Sequence, residues 1–194
     1  SAGLSDFRSF FLNLPFLFCI VIPLLAMNSW ADEKKHGTDR LLAAYPVDKR
    51  LLAAAKYAAL LVCFAGAATL TMVIPLSVIP LVYFDFLSYC AVLFFGAAFT
   101  AWSLALSNIS AHTAVGFLLG FFTGIFFTAS HVLAQVLPLP SFIVKILRYC
   151  SFTLHFESAA RGIFDTRDFL FYILLIAAAQ GLSVLLLYVQ EENR

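Results

Sequence analysis

The sequence predicts an all-α, polytopic membrane helix bundle with five transmembrane helices. Of the 194 residues, 62% are hydrophobic and only 12% are charged, whereas an ordinary soluble domain has about 25% charged residues. The mean hydropathy is +0.95. Several apolar runs reach roughly 20 residues, the length that a helix needs to cross about 30 Å of hydrocarbon. The chain is therefore expected to be a single transmembrane domain over 1–194.

The first two predicted spans flank a long polar segment. The first span covers about 10–30, and a polar loop over 31–50 follows it. Each charge in this loop would cost roughly 2.5–3.5 kcal/mol at the centre of a bilayer, so the loop must lie in water. The second span covers about 51–72, with Asp48 as its N-cap and Lys56 reaching back to the membrane surface.

The third and fourth predicted spans cover about 86–106 and 112–137, and a short polar turn at 107–110 joins them. The fourth span contains a doubled GxxxG pattern, formed by Gly116, Gly120 and Gly124. Small residues at every fourth position let two helix backbones approach closely. This packing could lie within the chain, which is the more common case, or it could join two copies of the protein.

The segment 138–168 is not a transmembrane span, because it mixes apolar residues with many charged ones. One helical face of it is apolar, formed by Phe142, Ile143, Ile146, Leu147 and Cys150. Lys145 and Arg148 flank that face, which is the pattern of an interfacial or re-entrant helix. The fifth span covers about 169–189 and precedes a short polar tail.

The distribution of Lys and Arg predicts the orientation of the chain. Of the twelve Lys and Arg residues, six lie in or beside the loop at 31–50: Lys34, Lys35, Arg40, Lys49, Arg50 and Lys56. Because cytoplasmic loops are enriched in Lys and Arg, we expect this loop inside and 138–168 outside. Alternation then places Ser1 outside without a signal peptide. This predicts that the sequence lacks an upstream cytoplasmic segment and one more span.

The motifs of several enzyme and binding classes are absent from the sequence. It contains no GxxxxGK[ST] phosphate-binding loop, no HExxH or GxSxG motif, and no Cys/His cluster with metal-ligand spacing. We therefore predict no catalytic residues, no metal site and no cofactor in this chain. The net charge of +1 gives no reason to expect nucleic acid as a partner.

Two groups of residues resemble the ABC-2 type permeases, the membrane subunits of ABC exporters. The first group follows the order E…GT…LL…P…K and consists of Glu33, Gly37, Thr38, Leu41, Leu42, Pro46 and Lys56. The second group precedes the last span and consists of His155, Phe156, Arg161, Gly162, Ile163, Phe164, Asp165, Arg167 and Asp168. The resemblance covers nearly the whole chain and is nearest to the gliding-motility or multidrug-type branch. The family's usual first span, with an amphipathic helix before it, has no counterpart in this sequence.

This resemblance implies transport across the plasma membrane, the inner membrane of a bacterium, driven by a separate ABC ATPase subunit. ATP and Mg²⁺ would bind to that subunit, and the chain itself would not be an enzyme. The resemblance also implies a second permease copy or a related permease, with membrane lipid around the spans. The residues implied to receive the ATPase are Glu33, Gly37, Thr38, Asp39, Leu41, Leu42 and Pro46.

The same loop residues fit a short cytoplasmic coupling helix. Gly37 can end the helix that leaves the membrane, Thr38 can cap a new helix, and Asp39 favours the positive N-terminal end of that helix. Pro46 can stop it. Its leucines would form an exposed apolar face, which suits either a docked partner or the membrane surface.

Other functions fit the sequence less well. An ATPase-independent channel or secondary transporter would be favoured by acidic residues in the middle of a span, and the predicted spans have none there. A membrane enzyme would need a nucleophile and base, or a metal set, at one depth of the bilayer. A membrane scaffold protein needs no special residues, so it stays open as an alternative.

Overall fold

The computed structural model of the chain describes residues 2–38, 47–78, 86–136, 140–160 and 166–192. These residues form helices joined by short turns, without a strand among them. In chain order the helices are α1 (Ala2–Ala26), α2 (Asn28–His36), α3 (Lys49–Val78), α4 (Phe86–Ser107), α5 (Thr113–Val136), α6 (Ser141–Tyr149), α7 (Phe152–Ala160) and α8 (Thr166–Glu192).

Five segments are long and apolar enough to cross a membrane. Within the described ranges they are Asn13–His36, Lys49–Thr71, Ser88–Ser107, Thr113–Val136 and Thr166–Glu192. The predicted all-α bundle with five transmembrane helices is therefore confirmed. The first of these spans combines most of α1 with α2, and the others correspond to α3, α4, α5 and α8.

The first span ends later than predicted. Only Met27 separates α1 from α2, and its N–H still donates to the Pro23 carbonyl at 2.9 Å, so the helical path continues to His36. Residues 31–36 thus belong to a helix that leaves the predicted span and ends at Gly37, the residue predicted to end it. Ala, Glu and Lys are strong helix formers. The basic residues in the last turn of α2 also complement the negative end of the helix dipole.

α3 begins at the predicted N-cap, because the Arg50 N–H donates to Asp48 Oδ1 at 2.9 Å. α3 extends to Val78, and α8 extends from Thr166 to Glu192. Both helices are therefore longer than the apolar runs from which they were predicted. α8 gains polar residues at its two ends, because a helix can continue beyond the hydrocarbon. The residues that α3 gains at 73–78 are mostly apolar instead, and the helix continues through Pro75.

α4 is the central helix of the bundle. It packs against α1, α3, α5, α7 and α8. Of its most apolar stretch, 72% is buried within the protein, compared with 17% for α3 and for α8. The side chains of Ala98, Ala101 and Ala105 are almost fully buried, and their small size lets the neighbouring helices approach α4. α3 and α8 therefore have most of their apolar surface on the outside of the chain.

The segment between α5 and α8 forms two helices, which corrects the expectation of a single interfacial or re-entrant helix. α6 has the predicted exposed apolar face, with Phe142 at 71% exposure. α7 instead packs into the bundle and buries Phe152 and Phe156. Because α7 contains several polar residues, the sequence did not predict that it would be buried. Thr153 Oγ1 donates to the Thr128 carbonyl at 2.8 Å, so this hydroxyl is satisfied inside the protein.

An aromatic core occupies the middle of the bundle. Its buried rings are Phe18, Phe64, Phe95, Phe99, Phe152, Phe156 and Tyr172. Phe95 on α4 has ring-centroid distances of 5.9–6.4 Å to five of the others, a spacing typical of aromatic pairs. This core joins α1, α7 and α8 to the central helix.

Four parts of the chain meet at one end of the bundle, which we call the polar end. They are the end of α2, the start of α3, the turn between α4 and α5, and the end of α8. α6 and α7 lie towards the opposite end, where α5 finishes and α8 begins. The polar end therefore contains the described part of the predicted coupling region.

Candidate functional site

The first candidate residues lie where α2 finishes. Gly37 closes the helix with φ of +71°, and its N–H donates to the carbonyls of Glu33 and Lys34. A residue with a Cβ would cost roughly 1–2 kcal/mol in this left-handed conformation, which accounts for glycine here. The Thr38 hydroxyl donates to the Glu33 carbonyl at 3.3 Å, so it caps the end of α2. The following helix that Thr38 was predicted to begin lies outside the described residues.

Glu33 pairs with Lys56 of α3. Glu33 Oε1 and Lys56 Nζ are 2.6 Å apart, and the two side chains are 28% and 14% exposed. Lys56 also lies 4.1 Å over the Trp30 ring and donates to the Ser29 carbonyl. It therefore packs against α2 at the polar end, and its predicted reach to the membrane surface stays a prediction. Removing either partner would leave a charge with little access to water, so the pair holds α2 to α3.

Asn108, in the turn between α4 and α5, joins α2 to α8. Its backbone carbonyl accepts hydrogen bonds from Lys34 Nζ and from Gln190 Nε2, the second at 2.9 Å. Its side-chain amide donates to the Ser183 carbonyl at 3.3 Å. Because α4 ends at Ser107, this carbonyl lies among those that a helix end leaves without an intrahelical partner. Side chains from two other helices satisfy it, which fixes the turn to both of them.

A third link at the polar end joins α3 to α8. Lys49 forms an ion pair with Glu191 and lies 4.0 Å over the Tyr188 ring. The Glu191 side chain is 52% exposed, so water screens this pair more than the one at Glu33. Exposed pairs of this kind stabilise a fold by about 0–1 kcal/mol.

The three glycines of α5 form a buried stripe that faces α1 and α4. A Cβ at Gly120 would lie 2.9 Å from Pro23 Cβ, and a Cβ at Gly124 would overlap the Phe99 ring. A Cβ at Gly116 would lie 3.2 Å from the backbone of Ser107. The stripe therefore packs within the chain. Of the two uses left open by the sequence, this arrangement favours the intramolecular one.

Two residues of the second motif group also come together. His155 Nδ1 lies 2.5 Å from Asp168 Oδ1, its Nε2 lies 2.9 Å from the Tyr149 carbonyl, and its ring stacks on Phe171 at 4.3 Å. This contact joins α7 to the start of α8, while 161–165 lie outside the described residues. Among the residues that are described, no group of three or more His, Cys, Asp or Glu could hold a metal ion.

The family model described as ABC-2 family transporter protein matches residues 4–186. The chain belongs to the ABC-2 transporter family. The match covers nearly the whole chain and confirms the resemblance carried by the two motif groups. No curated protein and no solved structure matches the chain. Together with its five apolar spans, the family identifies this ABC-2 permease as a multi-pass membrane component of an ABC transporter.

The predicted ATPase-receiving residues of this permease fall into two groups. Glu33, Gly37 and Thr38 lie together in and after the last turn of α2. The others lie outside the described residues: Asp39, Leu41, Leu42 and Pro46. The role of the whole set in receiving an ATPase stays a prediction.

The contacts that Lys34 and Gln190 make with Asn108 could not be predicted from the sequence. There, Lys34 is one of a cluster of positive charges, and Gln190 belongs to a polar tail. The partners are separated by 74 and 82 positions, and nothing in a single sequence pairs residues so far apart. The available signal was the polar turn at 107–110, because backbone groups at a helix end need partners when they are buried.

Proposed function

We propose that this chain is the membrane-spanning permease subunit of an ABC exporter, which moves its substrate with energy from ATP hydrolysed by a separate ATPase subunit. The observation that carries the proposal is the attachment of α2. Glu33 ties it to α3, and Lys34 ties it to the turn between α4 and α5. Gln190 extends that second link to α8. A displacement of α2 would therefore act on several spans at once.

In this proposal residues 37–46 receive the ATPase, and its closure on ATP displaces the end of α2. Transmission of this kind needs a rigid element whose contacts differ between two states. α2 suits that role, because it continues the first span and its last turn is held on two sides. ATP and Mg²⁺ would belong to the ATPase, and a second permease copy or a related permease would complete the transporter.

The proposal requires the polar end to face the cytoplasm, across the inner membrane of a bacterium. The cluster of Lys and Arg in and beside 31–50 supports this orientation. Lys35 and Lys145 are both exposed and lie at opposite ends of the bundle. A cysteine placed at Lys35 should be labelled only from the cytoplasm, and one placed at Lys145 only from outside. Labelling with the opposite sidedness would contradict the proposed orientation.

The coupling role is tested by the double variant Leu41→Ala with Leu42→Ala. Truncating one interface leucine commonly weakens the binding free energy by about 1–3 kcal/mol. We therefore expect ATPase co-purification to fall by about tenfold or more. Membrane insertion should be unchanged, since neither residue belongs to a span predicted from the sequence. The matched control is Val132→Ala with Val136→Ala, two exposed apolar residues at the opposite end of α5.

Two results would contradict the coupling proposal. If no P-loop ATPase co-purifies with the wild-type chain, the chain does not act as an ABC permease. If the double variant keeps full ATPase binding and full coupling of hydrolysis to transport, the coupling surface lies elsewhere. The turn at 107–110 would then be the next surface to test, because it lies at the same end of the bundle.

A further inference from the structure

A groove runs along the outer side of the bundle between α3 and α8. It has a volume of about 680 Å³, which is within the range of roughly 300–1,000 Å³ typical of ligand sites. Ala54 of α3 and Val184 and Leu185 of α8 form part of its apolar lining. Gly181 also lines it, and a Cβ at that position would meet no heavy atom within 4 Å. The groove is therefore open to an apolar occupant.

Two opposite charges line the same groove at the polar end. Arg50 is the second residue of α3, and Glu192 is the last residue of α8. Their sequence neighbours Lys49 and Glu191 pair with each other. Within the described part of the chain, the Arg50 guanidinium and the Glu192 carboxylate form no ion pair with one another or with other side chains. The groove thus offers one cation and one anion at its polar mouth.

The length of the groove matches one leaflet of a bilayer. On α8 it reaches from Glu192 to Gln180, which corresponds to about 18 Å of helix at 1.5 Å per residue. Half of a hydrocarbon core of about 30 Å is about 15 Å. The charged mouth therefore falls at the level of lipid headgroups, and the apolar part falls at the level of acyl chains.

We propose that this groove binds one aminophospholipid from the surrounding leaflet as a resident lipid. The phosphate would pair with the Arg50 guanidinium, and the headgroup ammonium would pair with the Glu192 carboxylate. One acyl chain would lie along Ala54, Gly181 and Leu185. A headgroup that carries a phosphate without an ammonium would satisfy Arg50 but leave Glu192 facing a negative charge.

A lipid fits the groove better than a second copy of the chain. A protein partner would have to cover Arg50 and Glu192 and remove both charges from water, which is costly without well-placed partners. A lipid headgroup leaves them at the membrane surface. The two helices are also only 17% buried in their apolar stretches, so the groove opens directly to the hydrocarbon.

The test is native mass spectrometry of the purified protein after equilibration with vesicles of phosphatidylethanolamine and phosphatidylglycerol in equal parts. We expect wild-type protein to retain phosphatidylethanolamine in preference to phosphatidylglycerol. Gly181→Leu fills the groove and should abolish most of the lipid binding, because the leucine side chain takes the place of the acyl chain and removes its packing contacts. Gly66→Leu is the matched control, because a Cβ at Gly66 also meets no heavy atom within 4 Å and Gly66 lies outside the groove.

A second variant does not depend on filling the groove. Glu192→Gln removes the exposed carboxylate and should reduce the preference for phosphatidylethanolamine by up to about fivefold while lipid stays bound. Equal binding of both lipids by the wild type would overturn the proposal. Equal losses in Gly66→Leu and Gly181→Leu would also overturn it. A dimer that Gly181→Leu dissociates would assign the groove to a second copy instead.

Discussion

At the polar end, α2 is joined to its neighbours by the contacts of Glu33 with Lys56 and of Lys34 with the Asn108 carbonyl. In the aromatic core, by contrast, α7 is joined to its neighbours by packed rings that include Phe95 and Phe152, 5.9 Å apart between centroids. The first region holds its helices through charges and the carbonyl groups at helix ends. The second holds them through close packing of large apolar side chains.

This difference indicates which part of the bundle can move. Ion pairs and hydrogen bonds at helix ends can exchange one partner for another, because a neighbouring charged group or carbonyl can replace the contact that is lost. Interlocked rings resist small displacements, since even a narrow gap forfeits a large part of their dispersion contacts. The polar end therefore suits a moving part, and the aromatic core suits the fixed part against which it moves.

The largest effect is expected for Phe95→Ala. The ring is almost fully buried among five others. Buried Phe→Ala changes cost about 3–5 kcal/mol, and we expect the lower end, because lipid reduces the part due to transfer from water. Thermal unfolding in detergent measures the loss. Phe122→Ala, at an exposed ring of α5, is the control. Equal losses in both variants would mean that the aromatic core does not hold the bundle.

A somewhat smaller effect is expected for Gly120→Leu, which forces a side chain between α5 and α1. Overpacking of this kind costs about 1–3 kcal/mol, and the rigid Pro23 ring is the nearest neighbour. We expect lower yield and a lower melting temperature, with Gly66→Leu as the control in open space. Unchanged yield and oligomeric state would show that the glycine stripe does not pack as described.

The two ion pairs should differ in how much they stabilise the protein against thermal unfolding. Lys56→Met leaves the half-buried Glu33 carboxylate unpaired, and we expect a cost between the roughly 1 kcal/mol of an exposed pair and the 3–5 kcal/mol of a buried one. Lys49→Met breaks a more exposed pair and should cost less than about 1 kcal/mol. A larger loss for Lys49→Met would reverse the ranking of the two links.

Local chemistry made much of the fold predictable from the sequence. The spans follow from apolar runs, the start of α3 follows from Asp48, and the end of α2 follows from Gly37, each a property of a few adjacent residues. The burial of α7 could not be predicted in this way. Thr153 finds its partner on α5 and His155 finds one on α8, and only the folded chain brings those partners together.

The same limit applies to the candidate site, where single residues could be predicted but their distant partners could not. Glu33 and Gly37 could be singled out because they stand in a recognisable order along the chain. The partners of Glu33 and Lys34 could not, since Lys56 comes from α3 and Asn108 from the turn after α4. Lys56 was assigned to the membrane surface, because a lysine near the end of a span usually reaches water when no partner is known.

A charge exchange between Glu33 and Lys56 tests most directly whether motion passes from α2 to α3. The measurement is the rate of ATP hydrolysis by the ATPase in complex with the permease in vesicles. Glu33→Lys should abolish most of the permease-dependent hydrolysis while the ATPase still co-purifies. Glu33→Lys combined with Lys56→Glu should restore part of that rate, because the pair is re-formed with its charges reversed, although a glutamate at position 56 cannot donate to the Ser29 carbonyl. Hydrolysis that Glu33→Lys leaves unchanged, or that the exchange fails to restore, would contradict transmission through this contact.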